Sequence, residues 1–193
     1  MKRTGMGVLM GVALLVCGIS AVAEDKKIPE ANGGEVGEVR LRTMAPITYA
    51  YVETETTFDK LGEVVLATIP QLSKAAQEGK FRITAPFVLA YPSGSVHLTP
   101  QKAFKVQIGM KVQGQAVESG EVKLRKTEEF RAATVLYTGP MAGMGECYQK
   151  LIPAISQMGL EMTGEEREFT VYFEGMDSPN NIVLVQVGVK EKK

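Results

Sequence analysis

From Phe104 to Lys111 the side chains alternate. Phe104, Val106, Ile108 and Met110 are apolar, while Lys105, Gln107 and Lys111 are polar. A period of two marks a strand with one buried and one wet face, and it predicts a strand over 103–112. Between 58 and 78 the period changes. Phe58, Leu61, Val65, Ile69, Leu72 and Ala76 recur every three or four residues, which puts them on one face of an amphipathic helix. Thr57 stands at its N-cap, with Lys60 where a capping box would carry an acid. Gly79 is placed to end the helix in a left-handed turn. Pro70 falls inside it and predicts a kink or a new turn. Upstream, Val39 and Leu41 alternate with Arg40 and Arg42, and the β-rich run Ile47–Val52 follows. Together they predict one long or bent strand over 38–53, with a bulge at Pro46, which cannot donate to a ladder. A further strand is predicted over 83–91, closed by the loop Pro92-Ser93-Gly94-Ser95.

The second half repeats the first. Glu38-Val39-Arg40-Leu41-Arg42 returns as Glu121-Val122-Lys123-Leu124-Arg125, and Gly62-Glu63 as Gly145-Glu146. Ile69-Pro70 returns as Ile152-Pro153, and Val106-Gln107-Ile108-Gly109 as Val185-Gln186-Val187-Gly188 with the register shortened by four residues. Four matched blocks in order point to duplication of a whole structural unit. The second unit predicts a strand over 121–138, a helix over 142–158, and strands over 167–174 and 182–190. Met144, Cys147, Tyr148, Leu151, Ile155 and Met158 form the inner face of its helix, and Pro153 interrupts it as Pro70 does the first. The expected fold class is α+β: two β-α-β-β half-units, 37–112 and 121–190, related by a pseudo-two-fold, with antiparallel sheets each covered by its helix. Such an arrangement leaves a cleft on the pseudo-two-fold, between the helices or between the open faces of the sheets, where small ligands usually sit.

Composition narrows the function. The 193 residues carry 22 basic and 22 acidic side chains, a formal charge of zero, so there is no electrostatic case for nucleic acid or an anionic membrane. The N-terminus reads as a secretory leader. Lys2 and Arg3 precede an apolar run, Val8–Val16, and the small-x-small site Ala21-Val22-Ala23. The run is shorter than the roughly 20 apolar residues of a membrane span. Val16 stands before Cys17 where lipoprotein signals carry a small residue. Cleavage after Ala23 would leave a flexible segment over 24–36, the domain over 37–190, a charged tail over 191–193, a periplasmic or secreted address and no membrane anchor. Cys147 would then be the single cysteine, too few for an internal disulfide, and it reads as a small core residue. His97, alone in a loop, has no companions with which to hold a metal. No cofactor motif is present; the glycines around Gly139, Gly143 and Gly145 lack a dinucleotide or Walker spacing.

Ala50-Tyr51-Val52, Phe87-Val88-Leu89-Ala90-Tyr91, Tyr137-Thr138-Gly139-Pro140-Met141, Val171-Tyr172-Phe173 and the closing Val185–Val189 come in an order that resembles the GyrI-like effector-binding domain. That domain is also found fused to AraC-type and MerR-type regulators, and the haem-binding SOUL family has a similar duplicated fold. The resemblance implies a binding module for amphipathic, aromatic, often cationic small molecules in a central cleft, with aromatic walls and a glutamate. It also implies that some members hydrolyse reactive small molecules with that glutamate. The family's acid lies two residues before the second-unit tyrosine; here that position is Thr170, before Tyr172.

The residues themselves offer substitutes. Alternation puts Glu168, Thr170, Tyr172 and Glu174 on one strand face and Phe169, Val171 and Phe173 on the other. If the phenylalanine face meets the helix, the acid–tyrosine face lines the open side, and Glu168 or Glu174 supplies the carboxylate; the alternative is a solvated strand edge. Tyr51, Phe87, Tyr91, Tyr137 and Tyr172 are the aromatics expected near the cleft, Tyr91 and Tyr172 foremost, because they occupy equivalent strands. Three functions follow: a ligand-binding module, a hydrolase acting through Glu168 or Glu174, or a module that meets an envelope protein partner.

Overall fold

The computed structural model describes residues 33–92, 94 and 102–192. The leader expected over 1–23 and His97 lie outside the described residues. In chain order the elements are β1 (Glu35–Val36), β2 (Arg40–Met44), β3 (Thr48–Thr56), α1 (Leu61–Gln77), β4 (Arg82–Tyr91), β5 (Phe104–Gln113), β6 (Lys123–Lys126), β7 (Phe130–Thr138), α2 (Gly145–Gln157), β8 (Leu160–Tyr172) and β9 (Ile182–Glu191). Each helix is entered through a short 3₁₀ turn, Phe58–Lys60 and Met141–Met144. The fold is α+β, as the periods predict: an antiparallel sheet with two main helices.

The strands form one sheet in the order β1-β7-β9-β8-β4-β5-β3-β6, with β2 also on β7. Two sheets were expected; the pairing of β4 with β8, from Phe87 opposite Thr170 to Tyr91 opposite Glu166, joins them. Pairings in one half have counterparts in the other. β5 lies between β3 and β4 as β9 lies between β7 and β8.

The repeated five-residue stretches lead into β2 and β6, and both cross over. β2 pairs with β7 of the second half, and β6 with β3 of the first. The long strands expected over 38–53 and 121–138 are therefore each broken in two. Around Pro46 the ladder ends outright, because proline brings no N–H. The two breaks hold each other. Ile47 N donates to Thr127 Oγ1 at 2.9 Å, and Thr127 N donates to Ile47 O at 2.8 Å. β1 lies within the segment expected to be flexible, where Glu35 and Val36 pair with Thr138 and Tyr137. β8 begins at Leu160, well before the expected 167, because its first turn of chain is irregular: the register slips between Met162 and Glu166, and Gly164 has φ of 89°.

Both helices cover the same face. Leu72 and Ala75 of α1 pack on Ala50 and Val52, while Cys147, Leu151 and Ile155 of α2 pack on Ala133, Val135 and Val185. Leu72 and Leu151 are fully buried, and burying such a side chain is worth about 1.5–3 kcal/mol. Pro70 and Pro153 sit inside continuous helices. Gly79 follows α1 with φ of 73° and Gly159 follows α2 with φ of 70°, the left-handed ending that glycine adopts without a Cβ clash.

On the opposite face a polar network spans the strands. Tyr49 Oη donates to Gln107 Oε1 at 2.6 Å, and Arg125 of β6 reaches both before pairing with Glu165 of β8 at 2.8 Å. Glu165 also accepts from Arg167, whose guanidinium lies 4.2 Å from the centre of the Phe130 ring.

Candidate functional site

Between α1 and α2, over the β4–β8 seam, lies a cavity of about 800 Å³. That is within the range of small-molecule sites. One wall comes from Phe58, Leu61 and Val65, the other from Met141, Met144, Ile152 and Pro153. Methionines suit such a wall because the thioether is flexible and polarisable. The loop between β8 and β9 brings Met176 and Asp177 to the mouth.

Glu168 is at the floor, 5% exposed. Its neighbours across the ladder are Leu89 of β4 and Val185 of β9, and Val185 faces α2. So it is the Glu168 side of β8, and not the Phe169 side, that meets the helices. Tyr148 of α2 donates its hydroxyl to Glu168 Oε1 at 2.7 Å, and the Tyr91 hydroxyl is close enough to the same carboxyl to stabilise its charge. Burial pushes the Glu168 carboxyl from the ordinary 4.5 up to about 7. The two tyrosine hydroxyls pull it back, and the Glu166 charge raises it further. Burial, then the Glu168 charge, holds both tyrosines well above their usual values, so they remain donors. Among the described residues lining the cavity there is no lysine, arginine or histidine. An apolar chamber with a carboxyl poised near neutrality can pair with a cation or take up a proton.

The aromatics expected near the cleft divide. Tyr91 lines the cavity. Phe87 shares its face of β4 but packs with Leu89 and Ile108 outside the lining. Tyr51 lies on the far face of the sheet, its ring 5.5 Å from that of Tyr49, because Ala50 and Val52 take the helix side of β3. Tyr137 is buried and donates to Pro140 O at 2.6 Å, securing the turn into α2 against Gly34 and Gly143. Tyr172 is 43% exposed, since a register slip between Thr170 and Tyr172 breaks the alternation. It donates to Glu174 at 2.6 Å, and Glu174 also accepts from Ser178 and Asn180. Tyr172 and Glu174 form a surface cluster that braces the β8–β9 loop, outside the cavity. Phe169 is on the other side of β8, paired with Val88 and Leu184, and Val171 and Phe173 are exposed. Cys147 is fully buried, and burial pushes its thiol up to about 12, as suits a core residue and not a nucleophile.

Tyr148, Phe58 and the three methionines were not anticipated at the site. The sequence did hold one signal. A tyrosine within the apolar stripe of a helix must find a partner for its hydroxyl, and Glu168 lies on the strand beneath.

A helix-covered antiparallel sheet with an apolar cavity and a buried acid in its lining has the form of a small-molecule-binding domain. Residues 37–190 match the GyrI-like small molecule binding domain, and the chain belongs to that family. Among curated proteins none matches the sequence. The fold is similar to the EcmrR C-terminal domain at TM-score 0.68 and 16% identity, over 80% of this chain and 98% of that one. It is similar to EcmrR in its DNA complex at 0.67 and 14%, where the match covers 80% of this chain and 58% of the other. SAV2435, solved with tetraphenylphosphonium, superposes at 0.51 and 13%, over 79% of this chain and 94% of that one.

Proposed function

We propose that this small-molecule-binding domain is exported and holds an amphipathic aromatic cation in the cavity between α1 and α2. The observation that carries the reading is the Glu168 carboxyl, buried under apolar walls and held by Tyr148 and Tyr91. A buried carboxylate is costly unless something offsets it, and a cation entering the cavity would do so. Thr170 brings no carboxyl to the position of the family's acid, and Glu168, two residues earlier on the same strand face, supplies one in its place. Tetraphenylphosphonium, the molecule bound to SAV2435, has the size and charge that such a chamber suits. The export half of the reading rests on Lys2, Arg3, Val8–Val16 and Ala21-Val22-Ala23. Titration calorimetry with tetraphenylphosphonium tests the site: Glu168→Gln should weaken binding strongly while Tyr172→Phe leaves it intact. Equal affinities for both variants and wild type would discard it. N-terminal sequencing of the secreted or periplasmic fraction tests export, with Glu24 expected first; an uncleaved Met1 in that fraction would count against it.

Glu168 also supports a second reading, hydrolysis of a reactive small molecule with this carboxyl as general base, since its poise near neutrality suits proton transfer. Glu174 has no part in it, lying outside the cavity with three hydrogen-bond donors upon it. Turnover of an activated ester that persists in Glu168→Gln would dismiss this alternative.

A further inference from the structure

Glu168 is one of two acids along the cavity; the other, Asp177, stands at its mouth. We propose that Asp177 is a second cation anchor, and that the cavity selects ligands carrying two cationic centres joined by an apolar spacer. This rests on the cation-binding reading of Glu168.

The two acids occupy opposite surroundings. Glu168 is buried at the floor, whereas Asp177 is exposed at the rim. The rest of the lining is mostly apolar, with Phe58, Met141, Met144 and Met176 beside the single amide of Gln149 and the two tyrosines. A ligand with charge at one end satisfies one acid only; a ligand with charge at both ends satisfies both and keeps its spacer against the walls.

The rim acid is held in place by a built loop. Asn181 is fully buried; its Nδ2 donates to Gly175 O at 2.7 Å and Ser178 O at 3.2 Å, and its Oδ1 accepts from Glu174 N at 2.9 Å. The chain beside Asp177 is fixed to the turn before α2, where Met141 N donates to Met176 O at 2.8 Å. All this bracing presents Met176 and Asp177 to the mouth. Asp177 forms no ion pair among the described residues, so its charge is available to a ligand. Because it is exposed, its contribution is modest and screened by salt.

The test uses the full chain and calorimetry at about 0.15 M ionic strength. The probes are tetraphenylphosphonium, alkyl-linked bis(triphenylphosphonium) ions of increasing linker length, and analogues in which the second phosphonium is a neutral triphenylmethyl group. At the best linker length the dication should bind about three- to fivefold tighter than its neutral-ended analogue. Asp177→Asn should erase that advantage without changing tetraphenylphosphonium affinity, and high salt should erase it too. Dication and analogue binding alike, or an advantage that survives Asp177→Asn, would overturn the second anchor and leave the Glu168 site standing. If none of the probes depends on Glu168, the cavity reading itself fails and the inference falls with it.

Discussion

The carboxyl at the cavity floor makes ligand binding a proton-linked event. Glu168 sits near 7, chiefly through burial. Only its ionised form attracts a permanent cation. At about pH 6 roughly one-tenth of the free protein carries the charge, and at about pH 8 roughly nine-tenths. Affinity for tetraphenylphosphonium should therefore rise about tenfold across that interval. Close to pH 7 each binding event should expel about half a proton, because the cation pulls the carboxyl to its ionised form. Calorimetry in buffers of different ionisation enthalpy reads that release as a dependence of the observed heat on the buffer. Glu168→Gln should bind weakly, with no slope against pH or buffer. A wild-type affinity that is flat from pH 6 to 8, with no buffer dependence, would refute the assignment of Glu168 as the cation's partner.

Further predictions concern the frame around that acid. The native state binds the Glu168 proton more tightly than the unfolded chain, so the stability this confers is full below about 4.5 and is lost as pH rises through about 7. That loss is about 3 kcal/mol, and Glu168→Gln should recover much of it, raising the thermal midpoint of the unliganded domain above wild type at pH 8 but not at pH 4; a lower midpoint at both would contradict the linkage. Tyr148→Phe removes the 2.7 Å donor from Glu168, which pushes the carboxyl higher still. Its affinity for tetraphenylphosphonium at pH 7 should fall about tenfold and recover at more alkaline pH, whereas a loss equal at every pH would mark a purely steric effect. Gly143 lies against the Tyr137 hydroxyl, so that a Cβ there would collide with it. Gly143→Ala should cost about 1–3 kcal/mol in denaturant unfolding, and Tyr137→Phe in that background should return part of it; no recovery would mean that the strain lies elsewhere.

The periods of two and of three to four along the chain placed both helices and the strands β4, β5, β7 and β9. β5 and the two helices were legible because each is apolar on one face only, and β4, β7 and β9 because they are short apolar runs bounded by turn residues. The irregular elements were harder to read. β2 and β3 form one apolar-polar run in sequence, and nothing local says that the chain leaves the sheet at Pro46 to cross to β7. That break is held by Thr127, some eighty residues away. The orientation of β8 could only be put conditionally, for a related reason. Alternation separates Glu168 from Phe169 but does not say which of them meets the helices. The apolar set Phe169, Val171 and Phe173 looks like an inner face, yet the ladder partners of Phe169, Val88 and Leu184, belong to the side without helices. An acid facing the core breaks the rule that charges stay wet, and a functional site is where such a break is expected. Tyr91 and Tyr172 were singled out together because they occupy equivalent strands of the two halves, yet Tyr91 lines the cavity while Tyr172 is turned outward by a single register slip.

The central claim is that a cation enters the cavity and meets Glu168. Anomalous scattering from tetraphenylarsonium bound in crystals of the domain would place it without reference to affinity. The arsenic peak is predicted between α1 and α2, beside Glu168 and Tyr148, and absent from crystals of Glu168→Gln. A peak on the opposite face of the sheet, near Phe169 and Val171, with the cavity empty, would contradict the account.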